Sequence, residues 1–201
     1  MGLFLHHRET VSKIVETVHS GHCCRVLGAR FRFKSDILKT AANALEENGS
    51  HIVHFVEVRS LALDTAAGFF SSLFAQILES HPKANLPEAD NLFDVTDVHS
   101  FQTALDLLVS HSPLNVALFL DNIEMAPPNL AAFLLGVLRA VFTRYTDHPQ
   151  VQFQAVVCGS LSLSQVALDN ASRFESVSKL IRVQGLDETD RRSLALERCR
   201  E

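Results

Sequence analysis

One short stretch, Gly28-Ala29-Arg30-Phe31-Arg32-Phe33-Lys34-Ser35-Asp36, carries residue types spaced for phosphate chemistry. Its frame is G-x-x-x-x-G-K-[ST]: consecutive backbone N–H groups at a helix N-terminus cradle phosphate oxygens, the lysine reaches the terminal phosphates, and the neighbouring hydroxyl ligates Mg²⁺. Gly28, Lys34 and Ser35 stand at fixed places of that pattern, but Phe33 stands where its second glycine belongs. A benzyl group there either points away and alters the backbone or intrudes on the phosphates. Ala29, Arg30, Phe31 and Arg32 fill the free positions. The two arginines either add positive charge for phosphates or stand in solvent.

A second candidate is the run Val116-Ala117-Leu118-Phe119-Leu120 closed by Asp121, then Asn122, Ile123 and Glu124. A buried parallel strand ending in an acid puts that acid at the sheet edge where ligands of open α/β sheets bind. There Asp121 would hold Mg²⁺; the bland alternative is that it only ends a strand and caps a turn. The catalytic place after it is taken by Asn122, an amide that cannot accept a proton, which leaves Glu124 as the remaining acid. Ser160, after Val151 to Gly159, either senses a terminal phosphate or belongs to a simple turn.

These groups need strands and helices to hold them. Apolar spacing predicts a helix from Arg8 to His19, a strand from His22 to Leu27, a helix from Lys34 to Glu47 stopped by Asn48-Gly49, and a strand from His51 to Val58. Next come a helix capped by Asp64 that stops before Pro82, an exposed loop from His81 to Thr96, and a helix from Val98 to Ser110. After the Asp121 strand, a helix from Asn129 to Tyr145 places Leu130, Phe133, Leu134, Val137, Leu138, Val141 and Phe142 on one apolar face. A short helix from Ser164 to Asn170, a strand from Lys179 to Val183 and a helix from Glu188 to Arg200, capped by Asp187, complete the reading. Strands alternating with helices imply an α/β fold with a doubly covered parallel sheet.

The 201 residues suffice for one α/β core, and 47% hydrophobic with 20% charged residues describes a globular chain. A net charge of −5, with its 18 basic residues dispersed, gives no nucleic-acid patch, and no apolar run is long enough to span a membrane. Cys23, Cys24, Cys158 and Cys199 lack metal-binding spacing and read as reduced core residues of a cytoplasmic protein. His6-His7 and the His51/His54 pair lack a matching ligand set for zinc.

Taken together, the motifs resemble the AAA-like ATPase domain of STAND-type P-loop NTPases, relatives of the AAA+ proteins. Leu5-His6-His7-Arg8-Glu9 is similar to that family's aromatic-aliphatic-Gly-Arg-Glu opening, and Gly28 to Leu38 to its G-P-R-x-x-G-K-[ST]-x-L-L loop. The resemblance implies a P-loop NTPase three-layer α/β/α sandwich with a parallel five-stranded sheet of order 5-1-4-3-2. It implies a core over residues 1–186 and the start of a helical lid over 187–201. Arg8, the loop from Gly28 to Asp36 and Ser160 would meet ATP or ADP, with Ser35 and Asp121 on Mg²⁺. His7 in place of a glycine, Phe33 and Asn122 depart from the family pattern. Two functions follow: a switch or oligomerisation module of a larger signalling protein with slow or absent hydrolysis, or a pseudo-ATPase scaffold that binds a protein partner and no nucleotide.

Overall fold

The computed structural model describes residues 5–28, 33–81, 94–148, 150–160 and 174–183, with the side chains of residues 5–7 excepted. Helix α1 (Leu5–His19) is followed by β1 (Cys23–Leu27), α2 (Lys34–Glu47), β2 (His51–Glu57), α3 (Ala66–Ser80) and α4 (Val98–Ser110). Then come β3 (Asn115–Asp121), α5 (Pro128–Tyr145), β4 (Phe153–Gly159) and β5 (Ser178–Arg182). All strand pairs are parallel, and the five-stranded sheet runs β2-β3-β4-β1-β5, the order anticipated above.

Side-chain alternation along the strands divides the core in two. Val116, Leu118 and Leu120 of β3 and Phe153, Ala155 and Val157 of β4 meet α3, α4 and α5 on one face. Ala117 and Phe119, with Val156 and Cys158, meet α1 and α2 on the other. The result is a helix–sheet–helix sandwich. Helix α2 buries Ile37, Leu38, Ala41, Ala42 and Leu45, a helical stripe that turns its first residues toward the C-terminal ends of β1, β4 and β3. It ends at Asn48, and Gly49 turns the chain at φ 65°, a left-handed conformation that glycine adopts without steric cost.

Several details differ from the sequence reading. Thr65, not Asp64, caps α3: its hydroxyl accepts the Gly68 N–H at 3.0 Å. Phe133 is 52% exposed, because the buried stripe of α5 passes through Leu130, Leu134 and Leu138 and leaves Phe133 on the outer side. The segment expected to be an exposed loop has buried ends, His81 and Val95, and its residues 82–93 lie outside the described residues. The helices expected over Ser164 to Asn170 and Glu188 to Arg200, and Cys199, also lie outside them. Among the described residues no helix is long and apolar enough to cross a membrane.

Candidate functional site

The C-terminal ends of β1, β4 and β3 are adjacent in the sheet, so Gly28, Ser160 and Asp121 are brought to one edge. Alternation puts Asp121 on the α2 face, in line with Ala117 and Phe119. Gly28 has no room for a side chain. A Cβ there would stand 3.0 Å from the Val183 Cβ, 3.3 Å from the Val183 carbonyl oxygen and 3.3 Å from Lys34 Cδ. This close approach explains the glycine without any appeal to positive φ.

Phe33 begins α2 with φ 52° and ψ 23°, in the left-handed region. The backbone therefore retains a glycine-like conformation although the residue is Phe, with a steric cost of roughly 1–2 kcal/mol. The Phe33 carbonyl accepts the Ile37 N–H at 3.0 Å, and no side chain caps the helix. A helix N-terminus without a side-chain acceptor suits an anion.

Lys34 is buried to 8% exposure and Asp121 to 1%. The Ser35 hydroxyl donates to Asp121 Oδ2 at 2.5 Å, and the Asn122 N–H donates to Asp121 Oδ1 at 2.9 Å. The fourth member of this group is Cys158, a fully buried thiol of β4. Burial pushes the thiol up, and the carboxylates of Asp121 and Glu124 push it further while Lys34 opposes them. The thiol therefore stays protonated beside Asp121. In the sequence Cys158 reads as simple core; its place beside Asp121 comes from the pairing of β4 with β3.

After Asp121 the chain turns sharply. Asn122 is left-handed at φ 57° and ψ 42°, and a 3₁₀ turn, Ile123–Met125, follows, pinned by the fully buried Ile123. Asn122 Nδ2 and Glu124 Oε2 are both buried without a hydrogen-bond partner. Two complementary orphans thus stand on the turn beside Asp121. Of the other anticipated residues, Ser160 is buried at the sheet edge, Asp36 is exposed in the first turn of α2 and Arg8 is exposed on α1. Ala29, Arg30, Phe31 and Arg32 lie outside the described residues, as does the side chain of His7.

The donor set fits a Mg²⁺-nucleotide: a hydroxyl paired to a carboxylate, a buried lysine, and a glycine whose lack of a Cβ lets Val183 and the lysine approach. The histidines form separate pairs. His54 Nδ1 lies 2.7 Å from the Ser80 hydroxyl and His54 Nε2 3.3 Å from His81 Nδ1, while His51 meets the His19 ring edge at 5.4 Å. No group of three or more metal-binding side chains occurs among the described residues.

No family model and no curated protein matches this sequence. Solved structures do resemble its fold. Cdc6p from Pyrobaculum aerophilum superposes with a TM-score of 0.67 at 16% identity, over 98% of this chain and 50% of that one. The chain shares that structure's three-layer α/β fold. The Aeropyrum pernix ORC2 protein, solved as ADPNP-ADP complexes, gives a TM-score of 0.65 at 12% identity, over 96% of this chain and 51% of that one. Drosophila ORC bound to poly(dA/dT) DNA and Cdc6 gives 0.62 at 12% identity, over 95% of this chain and 31% of that one. The chain spans about half the length of the archaeal structures and less of the Drosophila one.

Proposed function

We propose that this chain is a STAND-type, AAA-like nucleotide-binding module. It binds ATP or ADP with Mg²⁺ and serves a larger signalling or defence protein in the cytoplasm as a switch or self-association element. The observation that carries the reading is the Ser35–Asp121 contact at 2.5 Å beside the buried Lys34. Ser35 and Asp121 would hold the metal, Lys34 the terminal phosphates, and the backbone from Gly28 to Asp36 the remaining phosphate oxygens. The bound Mg²⁺ would neutralise phosphate charge. Asn122 in the usual place of the acid keeps hydrolysis slow. Protein partners are favoured over nucleic acid by the net charge of −5, although similar folds have been solved on DNA.

Thermal unfolding with and without millimolar Mg²⁺-ATP or Mg²⁺-ADP tests the reading. A ligand that binds only the native state raises the midpoint in proportion to RT ln(1 + [L]/Kd), about 2.7 kcal/mol at a hundredfold excess over Kd. The rise is expected to vanish in Lys34→Ala. A second reading, a pseudo-ATPase scaffold, is favoured by Phe33 at the loop glycine. No midpoint change in the parent chain, together with a gain of nucleotide response in Phe33→Gly, would select it.

A further inference from the structure

We infer that the outer face of α5 is a self-association surface on which a second copy of this chain docks, its own α5 crossing antiparallel at Gly136. The inference gives the self-association part of the reading above a surface, and it rests on that part alone.

The helix period defines the face. Ala132, Phe133, Gly136, Arg139, Ala140 and Thr143 lie outside the buried stripe, in one arc centred on Gly136, and each is exposed or half-buried. A solvated helix face ordinarily carries charges of both signs, as α2 does with Asp36, Lys39, Glu46 and Glu47. The α5 face offers instead an aromatic ring that is 52% exposed, small residues, and one cation that makes no ion pair among the described residues. Gly136 has no reason within the chain. Glycine weakens a helix interior, its φ here is not in the left-handed region, and a Cβ would meet nothing within 4 Å. What the missing side chain permits is the close approach of another backbone.

The face is self-complementary, as a contact between identical copies must be. In an antiparallel crossing, a residue some positions before Gly136 stands level with the residue as many positions after it on the other copy. Phe133 and Ala140 share one flank of the arc, Ala132 and Arg139 the other. Phe133 therefore falls against Ala140 of the second copy, and the Arg139 stem against its Ala132, so bulk meets a small residue on both flanks. The two Arg139 positions stand about 9 Å apart along the crossing, where salt screens their repulsion. Antiparallel helices also set opposite dipole ends together. A contact of about three helical turns buries less than roughly 1,200 Å², so the dimer is weak and exchanging. Because α5 and α2 cover opposite sides of the sheet, it leaves the α2 side free.

Sedimentation velocity of the whole chain without nucleotide, from micromolar to millimolar concentration, tests this. The parent is expected to pass from monomer toward dimer as concentration rises. Gly136→Glu, which sets two carboxylates against each other at the crossing, should stay monomeric throughout. Its thermal midpoint in dilute solution should exceed the parent's by about 2–4 °C, because glutamate is the better helix former, which separates loss of the dimer from loss of the fold. Phe133→Ser should weaken association by about tenfold or more. Orientation is read by oxidising Phe133→Cys and Ala140→Cys chains, each also carrying Cys199→Ser, singly and mixed; Cys23, Cys24 and Cys158 are buried. Only the mixture should yield a disulfide-linked dimer, since like positions stand about 9 to 12 Å apart along the crossing, too far for a disulfide.

A parent chain that remains monomeric at millimolar concentration overturns the inference, as does Gly136→Glu dimerising like the parent. So does a cysteine mixture that cross-links no better than either chain alone. Nucleotide binding is registered separately: a monomeric parent whose midpoint still rises with Mg²⁺-ATP loses this surface and keeps the nucleotide reading, and a dimer without that rise does the reverse.

Discussion

The two faces of the sheet are built to different rules. On the side of α3, α4 and α5 the helices are conventionally capped: Thr65 starts α3, and Asp97 with Ser100 forms a capping box on α4. Between them the Phe69, Phe70, Phe74 and Phe101 rings pack at centroid distances of 5.1 to 6.3 Å in edge-on or tilted pairs. On the side of α1 and α2, at the strand ends, the order reverses. Helix α2 starts on an uncapped left-handed phenylalanine, β3 is followed by a left-handed asparagine, and a lysine, a carboxylate and a thiol are buried together. These two are the only non-glycine residues with positive φ among those described. Strain of this kind persists only where the surroundings over-determine it, and it concentrates where a ligand is handled. The apolar face stabilises the fold; the polar edge is shaped for something else.

The comparison can be broken from either side. The largest effect is expected in the aromatic cluster: Phe101→Ala should destabilise by about 3–5 kcal/mol in denaturant unfolding. Nucleotide response at the site should survive in the fraction that remains folded. Next comes acid. Burial lowers His54 to about 3, with His81 adding to the effect, and lowers His51 to about 4, with His19 adding to it; burial lowers His81 as well. The native chain therefore refuses protons that the unfolded chain takes up near pH 6.5. Stability is full above that pH and is lost as pH falls toward 4 to 3, by up to about 1.4 kcal/mol per pH unit for each histidine. His54→Phe should flatten that slope, measured as denaturant midpoint against pH.

A smaller effect of opposite sign is expected at the loop. Phe33→Gly should stabilise the ligand-free chain by about 1 kcal/mol by relieving the left-handed backbone, less the entropy glycine adds to the unfolded state. Asn122→Gly, at nearly the same φ, should change stability by only a few tenths of a kcal/mol, because asparagine already tolerates the conformation. Equal effects of the two glycine variants would remove the distinction between a strained loop and an adapted turn.

Much of the framework was legible in the sequence. The α2 stripe from Ile37 to Leu45, the apolar run into Asp121 and the stop at Asn48-Gly49 are local signals, and local signals fixed their elements. The errors arose where neighbours decide. Asp64 and Thr65 are equally good caps on paper, and only the chain's entry into α3 chooses between them. Phe133 fits the apolar period of α5, but the buried stripe runs through Leu130, Leu134 and Leu138 and leaves it on the outer side. The His54–His81 contact joins residues 27 apart, and Cys158 meets Asp121 only because β4 lies beside β3, so neither follows from spacing alone. At Phe33 the sequence offered two outcomes, an altered backbone or an intrusion on the loop. The backbone at Phe33 lies in the left-handed region, a conformation glycine adopts without steric cost.

The position of β1 also governs how the molecule is assembled. Its neighbours in the sheet are β4 and β5, the last two in chain order of the described strands, and contacts from β1 reach 132 residues ahead at the Ala155 N–H and 153 ahead at Ser178. The strand that leads into Gly28 must wait, apolar and unpaired, while most of the chain leaves the ribosome. Closing such distant pairs is slow, and an exposed apolar strand is a point of aggregation until they close. The loop is encoded early and completed late, so truncation anywhere before Arg182 leaves β1 with an open edge beside the candidate site.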